Sequence, residues 1–473
     1  MPETGRPLRV YTLDGLAPEV VAVAFAKTSR VPESFDVIAR ELSEADSSRF
    51  HEKWVVGYGH SSVAEHAVLS IAVENVSILG AKILEENRLS SFTEKSTRYQ
   101  VMDGTNYYTP PVFSDGRLGR LYRDSAALLF SAYADVFRQA REYCERAAAA
   151  GAAGDGQGAT TTGRACDMVR GLLPAAAKTN VGWTVNARAL RHAIVKMTSH
   201  PLAEMRELAR EIEARARTRT PTLLTHTGAS PYLGGWEGRV AAEAGTALEH
   251  GCAAARVERC GVKPGVRLVR HDPDGQCAVL AALLFRAAGV SHDEARSAVD
   301  QFDTETKRAL LNAAIRDIGG HEAPVREFES ASYTFEIVVD FGAYRDIQRH
   351  RMTSQTRQIL GADLGYAIPD DARAAGVADR MERVLGEARD RCRELAETDP
   401  MHAQYAVPLA FNQRFLISMD FREAYQFVRL RSRPGGHESY RRVARAVKRE
   451  IERVHPLLGA LIPEDDTDGR QKA

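Results

Sequence analysis

The chain has 473 residues, with 63 basic and 63 acidic side chains and a formal net charge of zero. That length exceeds one ordinary core and implies two domains or one duplicated domain. The zero net charge excludes the global electrostatic footprint of a dedicated nucleic-acid binder, so any anion site must be local.

In chain order, residues 8–11 (Leu8-Arg9-Val10-Tyr11) alternate like a strand, Asp14-Gly15 breaks them, and Val20 to Phe25 continues as a helical apolar run. The same order returns later, with Val266-Arg267-Leu268-Val269 as strand, Asp272-Pro273-Asp274-Gly275 as turn and residues 278–288 as helix. Each is followed by a charged, helix-like stretch that ends in Gly59-His60 or Gly320-His321. Strands are then predicted over residues 69–73, with Leu69, Ile71 and Val73 on one face, and over 333–339, with Tyr333, Phe335 and Ile337 on one face. Amphipathic helices carry Leu129, Tyr133, Val136 and Phe137, and later Leu202, Met205, Leu208 and Ile212, at spacings of three and four. The Ala/Gly/Thr-rich residues 147–163 read as a surface loop inserted in the first half alone.

The parts repeat. Pro174 precedes Asn186 and Arg188 by 12 and 14 residues, and Pro408 precedes Asp420 and Arg422 by the same intervals. The predicted division is a first repeat over 1–225, a helical connector over 226–262 and a second repeat over 263–473.

Two charged segments carry the chemistry. In the first, Arg88, Ser91, Glu94, Ser96 and Arg98 mix cationic forks, hydroxyls and one carboxylate, a set suited to a phosphate and a ribose or base edge. A salt-bridged, solvated face is the plainer alternative. In the second, 263 residues later, Arg345, Arg349, His350, Arg351 and Arg357 have only Asp346 to balance them. Such density of charge calls for an anion or for partner carboxylates; an RNA-binding patch, which the zero net charge weakens, and an intersubunit salt-bridge network are the alternatives.

His60, Glu65 and His66 lack the HExxH spacing, so no metal is expected. Neither a P-loop nor a GxGxxG after a strand is present. The six cysteines (Cys144, Cys166, Cys252, Cys260, Cys277 and Cys392) form no CxxC pair, which argues against structural zinc and a disulfide framework. No run approaches the roughly 18 apolar residues of a membrane span, and residues 1–9 lack a signal-peptide core. The expectation is a soluble, cytoplasmic protein without membrane or nucleic-acid partners.

These residues resemble the flavin-dependent thymidylate synthase family, present twice. The family signature is an Arg-His-Arg triplet, then Ser three residues on, then Glu, Ser and Arg. The first half matches at Gly59-His60, Glu65-His66, Arg88, Ser91, Glu94, Ser96, Arg98, Tyr99, Arg170 before Pro174, and Thr184 to Arg188. It departs at Glu86-Asn87, where the triplet begins, and at Met197, where a late arginine belongs. The second half keeps Arg349-His350-Arg351, Ser354, Arg422 and the late Arg431, but has Arg357, Ile359 and Gly361 in the nucleotide loop and Gln404 for the early arginine. The losses are largely complementary.

The resemblance implies an α+β fold, each repeat an antiparallel sheet packed with helices. It implies FAD, reduced by NADPH, and one-carbon transfer from methylene-tetrahydrofolate to C5 of dUMP or a related pyrimidine nucleotide. By the same resemblance, Arg98 and Arg431 are the catalytic candidates, and Arg88, Glu94, Ser96, Arg98, Arg170 and Arg349 bind substrate. His60, Asn186, Arg188, His321, Arg349, His350, Arg351 and Arg422 bind cofactor. A homodimer of such chains would mimic the homotetramer of the family. The alternative is a catalytically inactive nucleotide- or flavin-binding homologue with a structural or regulatory role.

Overall fold

The computed structural model describes residues 8–42, 44–57, 61–102, 104–150, 160–251 and 263–463. They pack as two compact units that interleave along the chain. Unit one draws on Met1–Val76, Glu86–Glu94 and Thr179–Ala255, and unit two on Ser77–Glu85, Lys95–Lys178 and Arg256–Ala473. Unit two therefore takes segments from both halves of the sequence.

Unit one is built on a three-stranded sheet in the order β1-β3-β2, with β1 at Val68–Ser77, β2 at Ser90–Glu94 and β3 at Lys178–Asn186. β2 and β3 are antiparallel, Ser90 opposite Val185 and Glu94 opposite Val181. The predicted inward face of β1 holds at Leu69 and Val73, both buried. Asn75 then adopts φ +60°, a left-handed conformation. Beyond it the inward position shifts to Val76. Helices Ala187–Thr198 and Ala203–Arg217 follow β3, and a helix over Pro231–Gly251 falls within the range expected to be helical; residues 252–262 lie outside the described residues.

The strand predicted at residues 8–11 does not form. Leu8 and Val10 are exposed, and the segment is tied down instead by the Tyr11 hydroxyl, which donates to Asp36 Oδ1 (3.0 Å) and accepts from the Asp36 amide (3.1 Å). Alternation alone cannot supply the neighbouring strand that a ladder needs. Leu13 and Leu16 pack on Ala24, Ile38 and Ala39, and the predicted helix runs Pro18–Lys27.

Unit two holds a four-stranded antiparallel sheet in the order β4-β5-β7-β6, with β4 at Gly265–His271, β5 at Ser332–Asp340, β6 at Ser354–Arg357 and β7 at Asn412–Asp420. Tyr333, Phe335 and Ile337 point to the buried face of β5 as predicted. The long helices Gly116–Ala149 and Ala378–Thr398 pack together. The loop predicted over 147–163 is shorter than expected at its edges, since the first helix continues to Ala149 and another begins at Thr161; residues 151–159 lie outside the described residues.

The duplication is visible in the backbone of unit two. The Ala175 amide donates to the Val407 carbonyl and the Leu409 amide to the Leu173 carbonyl, each at 2.9 Å. Ala176 donates to Tyr405 and Ala410 to Gly171 in the same reciprocal way. Ser77 caps the helix Ile78–Leu84 through Gly80 N, and Asp340, 263 residues on, caps Phe341–Ile347 through Ala343 N, both at 2.8 Å. Equivalent positions thus keep equivalent bonds although their side chains differ.

Phe335 is fully buried at the centre of the β5 face. Phe335→Ala should cost about 3–5 kcal/mol, read as a fall in the urea midpoint of unit two.

Candidate functional site

The second charged segment lies at the end of the helix Phe341–Ile347 and enters β6. Asp346 is buried there, 3.6 Å from Arg170 Nη1 and 3.8 Å from Arg349 Nη1. Burial raises a carboxyl pKa, yet Arg170, Arg349, Arg431 and Arg345 hold Asp346 down at about 2. The one carboxylate of that segment thus gathers arginines from both halves.

Arg431 closes the arrangement. Its Nη2 donates to the Asp346 carbonyl (2.6 Å) and its Nε to His350 Nε2 (3.0 Å). Because Nε2 accepts, Nδ1 carries the proton and donates to Glu423 Oε1 (2.9 Å). His350 is consequently neutral, and burial, with Arg431 adding to it, lowers its pKa against the pull of Glu423.

Arg98 forms a two-pronged pair with Asp167 (2.8 and 3.0 Å) and donates to the Tyr440 hydroxyl (3.2 Å) and the Gly435 carbonyl (3.0 Å). Burial disfavours its charge, but Asp167 more than offsets this and raises its pKa. Arg431 stacks over the Tyr440 ring at 5.4 Å, so one tyrosine spaces an arginine from each repeat. Gly435 has φ +78° and a Cβ on Gly436 would lie 2.8 Å from the Tyr440 ring, so both glycines are required by this turn.

A cleft of about 390 Å³ adjoins these groups, lined among others by Arg98, Asp167, Arg170, Asp340 and His437. Five arginines and five carboxylates line it, so its formal charge is balanced. His437 is buried beside it, accepts from the Ser439 amide, and has its pKa lowered by burial and then by Arg170.

Unit one has a separate and larger cleft, about 910 Å³, where Arg88, Arg188, Arg191 and Lys196 outnumber Glu65 and Glu86. Arg188 pairs with Glu65 (2.5 Å), and Asn186 caps its helix by accepting from Ala189 N (2.8 Å). His192 feels the cationic excess: burial, then Lys196 and Arg191, lowers its pKa. Such a donor set suits a ligand with several phosphate oxygens.

The remaining sequence candidates scatter. Glu94 is buried at the end of β2, and Ser96 Oγ accepts from the Arg98 amide at 3.2 Å. Arg351 and His321 are exposed. Arg422 donates to the Pro324 carbonyl (2.7 Å) and Glu329 (3.2 Å). His60 lies outside the described residues. Gln404, which stands in for the early arginine, serves the local backbone, since its Oε1 accepts from the Leu360 amide at 3.1 Å. Sequence reasoning missed Asp167, Tyr440 and His437. The three-residue spacings Asp167/Arg170 and His437/Tyr440 are the only local signals for them. Among the described residues no group of three His, Cys, Asp or Glu side chains is placed to hold a metal, and no helix is long and apolar enough to cross a membrane.

The family described as thymidylate synthase complementing protein matches residues 12–222 and again 267–457. The chain belongs to that family, in tandem duplicate. It is 30% identical over 448 residues to a UPF0159 protein of Chlamydia muridarum, covering 91% of this chain and 84% of the relative. A UPF0159 protein of Thermoplasma acidophilum is 26% identical over 487 residues, covering 92% and 93%. The flavin-dependent thymidylate synthase of Clostridium tetani is 27% identical over 225 residues, 45% of this chain and 83% of that one. Among solved structures, a UMP/dUMP methylase PolB from Streptomyces cacaoi bound with 5-Br dUMP aligns with a TM-score of 0.36 at 17% identity, covering 42% of this chain and 94% of that one. The two-repeat α+β architecture of this family member accords with both antiparallel sheets.

Two outcomes follow from the buried charges. Asp346→Ala leaves Arg170, Arg349 and Arg431 without their shared carboxylate and should destabilise unit two by about 3–5 kcal/mol in chemical denaturation. His350 has a folded pKa below its ordinary value, so the unfolded chain takes up the proton first as pH falls. Its contribution to stability is complete above about pH 6.5 and is lost below it. The drop in urea midpoint from pH 7.5 to 5.5 should therefore be smaller in His350→Gln than in the wild type.

Proposed function

We propose that the protein binds a pyrimidine nucleotide in the unit-two cleft and carries out flavin- and folate-dependent one-carbon transfer to C5 of dUMP or a related nucleotide. One observation carries this reading. Arg98 and Arg170 of the first repeat and Arg349 and Arg431 of the second meet in one compact unit, around Asp167, Asp346 and Tyr440. Each repeat lacks part of the family's set, and these four arginines, two from each repeat, are among the parts that remain.

In this reading Arg98, Arg170 and Arg349 position the nucleotide; the family pattern also names Ser96 as a substrate residue, while Arg88 and Glu94, which it names too, belong to unit one and are not assigned to this cleft. Arg431, held by His350 and Asp346, stabilises negative charge developing on the pyrimidine ring. His350, kept neutral, adds no further positive charge beside Arg431. For the cofactor, the cationic cleft of unit one fits a dinucleotide: Asn186 and Arg188 would hold FAD phosphates there. The family pattern also names His60, His321, Arg349, His350, Arg351 and Arg422 as cofactor residues; those from His321 on belong to unit two and are not assigned to this cleft. Bound flavin supplies hydride, which no side chain can. NADPH as reductant, methylene-tetrahydrofolate as donor, a cytoplasmic location and a homodimer standing for the family homotetramer belong to the same proposal, as does the division into repeats at 1–225 and 263–473.

The protein incubated with FAD should retain flavin absorbance after gel filtration. With NADPH and methylene-tetrahydrofolate it should release tritium from [5-³H]dUMP, and Arg431→Ala should lower that release about 100-fold or more. A specific observation favours the non-catalytic alternative: Arg98 and Arg170 are already paired with Asp167 and Asp346, so the cleft has no excess charge to draw a dianion. Binding of dUMP with no tritium release would decide for that alternative.

A further inference from the structure

Two buried polar atoms at the unit-two cleft have no hydrogen-bond partner, Arg170 Nη2 and Asp340 Oδ2. Both residues are more than nine-tenths buried, 4% and 5% exposed. Their other atoms are occupied. Arg170 Nε lies 3.4 Å from Asp167 and Nη1 3.6 Å from Asp346, while Asp340 Oδ1 accepts from the Ala343 amide. A buried donor and a buried acceptor left over at one cleft are costly to the fold, and a ligand that satisfies both removes that cost.

Both side chains flank Gly342: a Cβ there would lie 3.1 Å from Asp340 Oδ1, 3.5 Å from Arg170 Nε and 3.6 Å from Arg170 Cζ. Comparison of the repeats isolates the extra oxygen. Ser77 occupies the position equivalent to Asp340 and caps its helix with a single hydroxyl. Capping needs one oxygen; Asp340 brings a second that the fold does not use.

We infer that Arg170 and Asp340 together read a lactam edge, an N–H beside a C=O on a planar ring. Asp340 Oδ2 accepts the ring N–H and Arg170 Nη2 donates to the neighbouring carbonyl. A phosphate is a poor match, because it offers only acceptors and would set its charge against Asp340. The balanced charge of the cleft suits a neutral ring. The inference rests on the nucleotide reading above and deepens it by naming the part of the ligand that is recognised. Three ligands of the proposed reaction carry such an edge, the uracil of the nucleotide, the pterin of the folate and the pyrimidine ring of the flavin.

The test is calorimetric titration of the full chain with dUMP, N3-methyl-dUMP, tetrahydrofolate and FAD, for the wild type and Asp340→Asn. Asparagine retains a capping oxygen and replaces the unused acceptor with a donor; unchanged circular dichroism and melting temperature verify the fold. If uracil is read, N3-methyl-dUMP binds the wild type at least tenfold more weakly than dUMP, and Asp340→Asn weakens dUMP tenfold while tetrahydrofolate is unaffected. A tenfold loss confined to tetrahydrofolate or to FAD supports the same edge and assigns it to the pterin or to the flavin. Wild-type binding of dUMP, tetrahydrofolate and FAD that neither change alters overturns the edge and leaves the nucleotide reading standing. No binding of dUMP or tetrahydrofolate by the wild type overturns both.

Discussion

Asp346 is the constraint on which unit two depends. A carboxylate in a largely buried setting survives as an anion only with cations around it, and here Arg170 and Arg349 supply them from opposite repeats. The same residue's backbone carbonyl takes Arg431, which orients His350 and thereby fixes its tautomer. From Arg431 the network passes over the Tyr440 ring to Arg98 and on to Asp167. Packing, protonation state and the geometry of the cleft are therefore one electrostatic problem, and its members come from both repeats.

Divergence after duplication has reassigned side chains while leaving backbone bonds in place. The reciprocal bonds between the Gly171–Ala176 and Tyr405–Ala410 segments impose the same local geometry on both copies. Within it Arg170 is a buried cation, whereas the second repeat uses Gln404 to satisfy a backbone amide. Ser77 and Asp340 perform the same cap with different surpluses. Two copies freed from carrying identical sites can each specialise, provided that what one discards the other retains.

Much of the architecture was legible because it is written in local periodicity. The inward faces of β1 and β5 follow alternation at Leu69, Val73, Tyr333, Phe335 and Ile337, and the helix after Pro18 follows its apolar run. The strand expected at residues 8–11 failed because alternation cannot provide a hydrogen-bonding neighbour, and the Tyr11 hydroxyl found Asp36 instead. Part of the site was legible as well: the density of arginine around Asp346 announced a need for compensating charge. Asp167 and Tyr440 were not legible, since each lies far in sequence from one of the arginines it holds.

By itself the sequence determined that the chain is a duplicated α+β protein, that its halves had lost different members of one arginine set, and that its charges were concentrated rather than global. The duplication and the concentration of charge are properties of composition, spacing and repetition, while the fold class and the lost arginines follow from the resemblance to the family; all survive without knowing what touches what. Only the tertiary structure decided which charges neutralise each other. It did so because pairing energies fall off within a few ångströms, and Arg98 meets Tyr440, or Arg170 meets Asp346, only after segments well over a hundred residues apart have packed into one unit.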